Sequence, residues 1–168
     1  MPISIAIAVP LVATLREYFL FSIRPEYATA IFSGVKRFEL RRGSGEELKQ
    51  GDIAIVYASG RVKRIFGRFI VGRIYRGPPA KIWRIVTSNR DSGVGRDARR
   101  YIEGSAVAVA IEVLEPKVFT VRPSLYEIRS IFPSWNPPLS YAKIDVNHPV
   151  FRLFIRPLLE EEVPEKGV

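Results

Sequence analysis

The segment Ser33–Arg42, SGVKRFELRR, gathers a lysine, a glutamate and three arginines into its last seven residues. If Arg37–Arg42 is a strand, successive side chains point to opposite faces. Phe38 and Leu40 then share one face, and Arg37, Glu39 and Arg41 share the other. The apolar face is expected to enter the core. Lys36, in the turn after Gly34, can swing toward the polar face and complete a group of three cations around one carboxylate. Such a group can grip a phosphate, lysine as a point charge and arginine as a fork. Glu39 can accept from a base amino group or hold Arg41 in place. The other chemistry open to the group is proton transfer, with Lys36 as a general base or acid once buried. An ordinary surface ion-pair strand is spelled by the same string.

Further candidates lie outside this segment. Tyr57 and Ser59 close an apolar stretch and can reach a neighbouring cleft. Arg24 precedes Pro25, which holds it extended and able to point into the same cleft. Trp135 and Tyr141 suit stacking on bases, or packing a loop onto the core. His148, the only histidine, is expected to be solvated or capping. Cysteine is absent, which excludes disulfides, thiolate metal sites and a cysteine nucleophile. With a single histidine besides, no metal and no cofactor are expected. Gly67 and Gly72 do not make a phosphate loop, because no Lys-Ser/Thr pair follows them.

The chain has 168 residues, 47% of them apolar, and a formal net charge of +9. The length suits one compact domain with a real core. The charge favours a polyanionic partner. It is concentrated between Arg61 and Arg100, where twelve arginines and lysines face only Asp91 and Asp97. Arginine dominates, which suits phosphate contacts and base stacking. Scarce Asn and Gln fit a thermophile's protein, for which a charged surface is unexceptional. The absence of cysteine fits a reducing, cytoplasmic location. The first fourteen residues lack the positive flank of a signal peptide, and Pro10 interrupts their apolar run. They read as an N-terminal extension or strand, and no membrane span is expected.

The elements that must position these side chains follow from local pattern. Tyr18–Ile23 reads as a buried strand. A short helix follows over residues 26–32, with Pro25 in its first turn and Gly34 as its C-terminal cap. Strands are expected at 37–42, 53–58, 65–75 and 106–114, with Gly67 and Gly72 bending the long one. Val118–Val121 suits a further strand or edge. Short helices suit 80–86, 97–102 and the stretch after Ser124, where Glu127 completes a capping box. Residues 135–141, WNPPLSY, form a rigid aromatic loop. The last apolar stretch, Val150–Ile155, reads as a strand before an acidic tail that is frayed from Glu162. Five or six strands with short peripheral helices argue for an α+β fold built on a small β-barrel.

The order Ser22-Ile23-Arg24-Pro25-Glu26-Tyr27-Ala28, then Gly34-Val35-Lys36-Arg37-Phe38-Glu39-Leu40-Arg41, closely resembles the ASCH domain family of the PUA-like superfamily. Gly51-Asp52 before IAIVYAS, and Ile65-Phe66-Gly67 opening the next strand, are similar to that family's pattern. The loop 135–141 is similar to a proline-rich loop of archaeal members. The resemblance spans 17–146, and so implies an extension over 1–16, a PUA-like domain over 17–146, and a C-terminal strand and acidic tail over 147–168. It implies RNA or nucleotide binding in a cleft lined by Lys36, Glu39 and Arg41, with Arg24, Tyr57, Ser59, Trp135 and Tyr141 as further candidates. Some small members are metal-free hydrolases acting on acetylated cytidine or on RNA, for which Lys36 would be the catalytic amine. The amidohydrolase pattern wants a threonine where Glu39 stands and a downstream glutamate, for which Glu103 and Glu112 are the candidates. Binding is therefore placed ahead of catalysis, and a protein-interaction module stands third.

Overall fold

Strand β1, Tyr18–Ile23, is aromatic and β-branched and almost wholly buried, as its composition dictates. In the computed structural model, which describes residues 16–45, 47–88 and 92–161, it is one of six strands in a single mixed sheet. The expected N-terminal strand and the frayed acidic tail lie outside the described residues. The other strands are β2 (Phe38–Arg42), β3 (Ile53–Ala58), β4 (Arg64–Gly77), β5 (Ala108–Val118) and β6 (Tyr141–Ile144). Their order across the sheet is β2-β5-β4-β3-β1-β6. β1 and β3 run parallel, joined through helix α1 (Pro25–Phe32) and strand β2; every other neighbouring pair is antiparallel. The remaining helices are α2 (Pro79–Ser88), α3 (Arg96–Glu103), α4 (Leu125–Ile131) and α5 (Arg156–Glu160). The fold is α+β, as expected, and the sheet curls into a half-barrel.

Register shifts produce the curl. One lies between Val56 and Tyr57 where β3 meets β4, and two interrupt the β4–β5 ladder. Bulges of this kind bend a strand and raise its local twist. Gly67 in β4 leaves no room for a side chain: an added Cβ would lie 2.5 Å from the Lys117 carbonyl oxygen and 2.6 Å from the Phe32 ring.

Three apolar clusters form on the curled sheet. The concave face holds Phe19, Phe21, Val56, Phe69 and Ile111 against Ala28 and Ile31 of α1. The convex face is covered at one end by α4 and the C-terminal helical segment, which enclose Leu20, Ile55 and Phe151. At its other end α2 and α3 cover Phe38 and Leu40. This corrects one expectation. Phe38 and Leu40 pack outward against α2 and α3, and it is Glu39 and Arg41 that face the concave interior, level with Ile111 and Val109 of β5.

Two further expectations change. Val150–Ile155 is not a strand: Phe151–Ile155 forms a wide π-type helical turn that runs directly into α5, with Pro157 in the first turn of that helix. Its apolar residues Phe151, Ile155 and Leu158 recur at helical spacing and are all buried. The sheet's last strand is instead β6, four residues from the end of the proline-rich loop, paired to the outer edge of β1. The capping box at α4 forms as expected, with the Ser124 hydroxyl accepting from the Glu127 N–H and the Glu127 carboxylate accepting from the Ser124 N–H.

Candidate functional site

The two outer strands, β2 and β6, are not hydrogen-bonded to each other, so the half-barrel has an open seam. Arg41 bridges it. Its Nη1 donates to Ser140 Oγ at 3.1 Å, just before β6, and its Nη2 to the Ser22 carbonyl oxygen on β1 at 3.0 Å. Arg41 also donates through Nε to Glu39 Oε1 at 3.0 Å, and lies 5.4 Å from the centre of the Phe21 ring. The second carboxylate oxygen of Glu39 accepts from Lys36 Nζ at 2.5 Å, and that ammonium rests 4.7 Å from the centre of the Tyr27 ring.

Local sequence explains the convergence. Gly34, at φ +81°, ends α1 by donating to the Ile31 carbonyl, and the Lys36 N–H then donates back to Ala30. Lys36 is thereby turned toward the start of β2, where strand alternation brings Glu39 and Arg41 to the same side. Lys36, Glu39 and Arg41 are exposed by only 8%, 4% and 7%. Arg37, expected on the same polar face, is exposed and lies outside the group. Burial alone would raise the Glu39 carboxyl, but the charges of Lys36 and Arg41 and their hydrogen bonds outweigh it and hold it below its ordinary value.

The triad forms part of the lining of a cavity of about 890 Å³. The cavity opens at the carboxyl ends of β1 and β3, a usual position for a site beside parallel strands. Arg24, Lys36, Glu39, Arg41, Tyr57 and Ser59 all line it. The bulge at Val56/Tyr57 sits where β3 reaches the cavity, and burial pushes the Tyr57 hydroxyl up from the ordinary phenol value, against the opposing charge of Arg129. Among the described residues, five cationic side chains line the cavity against two carboxylates, Glu39 and Asp97.

Trp135 and Tyr141 are not brought to this lining. Trp135 packs on the convex-face cluster, its carbonyl accepting from Arg129 Nε at 3.0 Å. Tyr141 stacks on Phe21, with ring centres 4.7 Å apart and planes 9° from parallel. His148 caps locally, its Nδ1 accepting from the Val150 N–H at 3.1 Å.

The sequence reading did not single out several lining residues, although Lys63 and Arg100 belong to its basic run. Lys63 and Arg100 add cations to the rim, and Tyr27 adds an aromatic wall. Lys63 has a positive φ of 52°, uncommon for a non-glycine residue, with its carbonyl accepting from the Leu125 N–H. The loop Ser92–Gly95 closes one side. The Ser92 carbonyl accepts from the Arg37 N–H at 2.8 Å, and Gly93, at φ +67°, lies so close that an added Cβ would stand 1.9 Å from the Val35 carbonyl oxygen. No local pattern marks the loop Ser92–Gly95, because its contacts with Val35 and Arg37 join segments about fifty-five residues apart in the chain.

The basic run 61–100 divides by use. Arg64 and Arg68 donate to the Arg122 and Glu115 carbonyls, and Arg99 pairs with Glu103 at 2.8 Å. Arg76 holds the loop after β2 through the carbonyls of Ser44, Gly45 and Leu48. Among the run's described cations, Lys63 and Arg100 line the cavity. Among the described residues no cluster of potential metal ligands occurs, and no helix is long and apolar enough to cross a membrane.

The family model described as ASCH domain matches residues 21–117, which contain the whole triad. The crystal structure of ASCH from Zymomonas mobilis is 26% identical with a TM-score of 0.66, covering 77% of this chain and 89% of that one. A Tyr-to-Phe mutant of the Zymomonas mobilis protein is 24% identical with a TM-score of 0.66, covering 77% and 91%. A hypothetical protein from Leishmania major, 15% identical with a TM-score of 0.51 and coverages of 87% and 96%, shares the fold. Among curated proteins, none matches the sequence.

Proposed function

The chain belongs to the ASCH domain family, and on that premise we propose that it binds single-stranded RNA, one nucleotide entering the cavity above Lys36, Glu39 and Arg41. The observation that carries this reading is the excess of cations among the described residues of a walled cavity large enough to admit a nucleotide. Lys36 and Arg41 outweigh Glu39 on the floor by one charge, which leaves a fixed pattern of donors and one acceptor group for the polar edge of a base. Tyr27 and Tyr57 supply ring surface beside it. Arg24, Lys63 and Arg100 stand on the lining, where a phosphate backbone passing the mouth would meet them.

The competing hydrolase reading needs Lys36 as a reacting amine. Its Nζ is held in an ion pair 2.5 Å from Glu39 Oε2. Glu103 and Glu112, the candidate downstream carboxylates, do not line the cavity; Glu112 lies on the Phe38 face of the sheet and accepts from the Arg73 N–H. Binding is the better supported function.

The test is an affinity series for single-stranded RNA against salt. Affinity is expected to fall steeply as salt rises, and Lys63→Ala to weaken binding and reduce the slope of log affinity on log salt by about one. An affinity indifferent to salt, or no binding to RNA at all, overturns the proposal.

A further inference from the structure

Leu139 is the most exposed large apolar side chain among the described residues, with its full surface open to solvent. It is also part of the cavity lining, at the rim. A solitary exposed leucine means nothing by itself. This one is mounted on a fixed arm. Pro137 and Pro138 precede it and restrict their own φ angles. The Pro138 carbonyl accepts from Ser22 Oγ at 2.5 Å, and the Ser140 carbonyl accepts from the Ser22 N–H at 2.8 Å. The Ser140 hydroxyl accepts from Arg41. The backbone on both sides of Leu139 is thus tied to β1 and to the triad's arginine, while the side chain between them projects into water. A rigid arm presenting a bare isobutyl group loses little further freedom when something apolar covers it.

We propose that Leu139 is a wedge that covers the face of the base next to the nucleotide in the cavity. This rests on the RNA-binding reading and narrows it. The ligand it fits best is a strand of at least two nucleotides, splayed at the step where Leu139 inserts; a mononucleotide fills the cavity alone and binds more weakly. Apolar side chains perform the equivalent insertion between base steps in other nucleic-acid complexes. The arrangement of charge agrees, because Arg24, Lys63 and Arg100 add three lining cations to the floor triad, enough to meet more than one phosphate.

The experiment compares the whole chain with Leu139→Ala and Leu139→Trp. The probes are hexa-adenylate and adenosine monophosphate, at one fixed salt concentration. Leu139→Ala is expected to weaken hexa-adenylate about tenfold and the monophosphate, which meets Leu139 only at the rim, by much less. Leu139→Trp, with a ring able to stack, is expected to restore or exceed the original hexa-adenylate affinity. Because the side chain is fully exposed, both variants should fold as the parent does. Hexa-adenylate binding that Leu139→Ala leaves unaltered overturns the wedge while sparing the RNA-binding reading; this is also the result expected if Leu139 serves a protein partner. Equal weakening of both probes overturns it too, because Leu139 would then touch the nucleotide in the cavity. If the unmodified chain binds neither probe, both readings fall.

Discussion

At the residue scale the account turns on a carboxylate buried between two cations. Removing one member of a buried ion group commonly costs about 3–5 kcal/mol, because an uncompensated charge is left behind. Glu39→Gln keeps the shape and strands Lys36 and Arg41 together in the interior. It is therefore expected to lower unfolding free energy by about that amount, read from denaturant midpoints at neutral pH. The pH dependence has a definite sign. The folded Glu39 carboxyl titrates below its ordinary value of 4.5. Its contribution to stability is thus complete above the ordinary value and is lost as pH falls through the lower folded one. Relative to Glu39→Gln, the parent chain should lose its advantage in that acid range; an unchanged gap down to low pH contradicts the assignment. Sequence periodicity placed Glu39 and Arg41 on one face of β2 and Phe38 and Leu40 on the other. It assigned the wrong face inward, because charged side chains ordinarily mark solvent, whereas here all four side chains are buried. Burying the charged face toward the barrel interior needs the Ser22 and Ser140 partners, which lie 19 and 99 residues from Arg41.

At the scale of elements, the site depends on loops that short-range pattern barely marks. Gly93 occupies left-handed backbone against the Val35–Lys36 peptide. Gly93→Ala would combine a φ cost of about 1–2 kcal/mol with a collision against main chain. The loop Ser92–Gly95 is expected to move off Lys36. Hydrogen exchange reads this directly: the Arg37 N–H, which donates to Ser92, should lose protection, while the β3 and β4 amides keep theirs. Retained protection at Arg37 contradicts the role given to the loop. The capping box offers a control far from the cavity lining. Ser124→Ala should cost about 1 kcal/mol in thermal or denaturant unfolding and leave RNA affinity as it was. The capping box, the Gly34 cap and the long bent β4 were legible because each is a local pattern. Val150–Ile155 was misread because a short apolar run does not distinguish strand from helix, and here packing on the convex face selects the helical turn. β6 escaped notice for the opposite reason: it is four residues long and half exposed, and only its pairing with β1 makes it a strand.

At the scale of the whole molecule, the basic balance that suggests a polyanionic partner is only partly available to one. Arg64, Arg68 and Arg76 hold backbone carbonyls, so the run 61–100 is as much a structural brace as a contact surface. The cavity collects its cations from separate parts of the chain instead: Arg24 before α1, Lys36 and Arg41 at β2, Lys63 before β4 and Arg100 on α3. Fold class, the floor triad and Arg24 were therefore readable from sequence, whereas which members of the basic run reach the rim was not. The most direct test of the central claim is a nuclear magnetic resonance titration of the chain with a short single-stranded RNA, following backbone amides. The account predicts that the largest shift changes cluster at Arg24, Lys36, Tyr57, Ser59, Lys63 and Gly93, around the cavity. Changes centred elsewhere on the surface, or none, would contradict it.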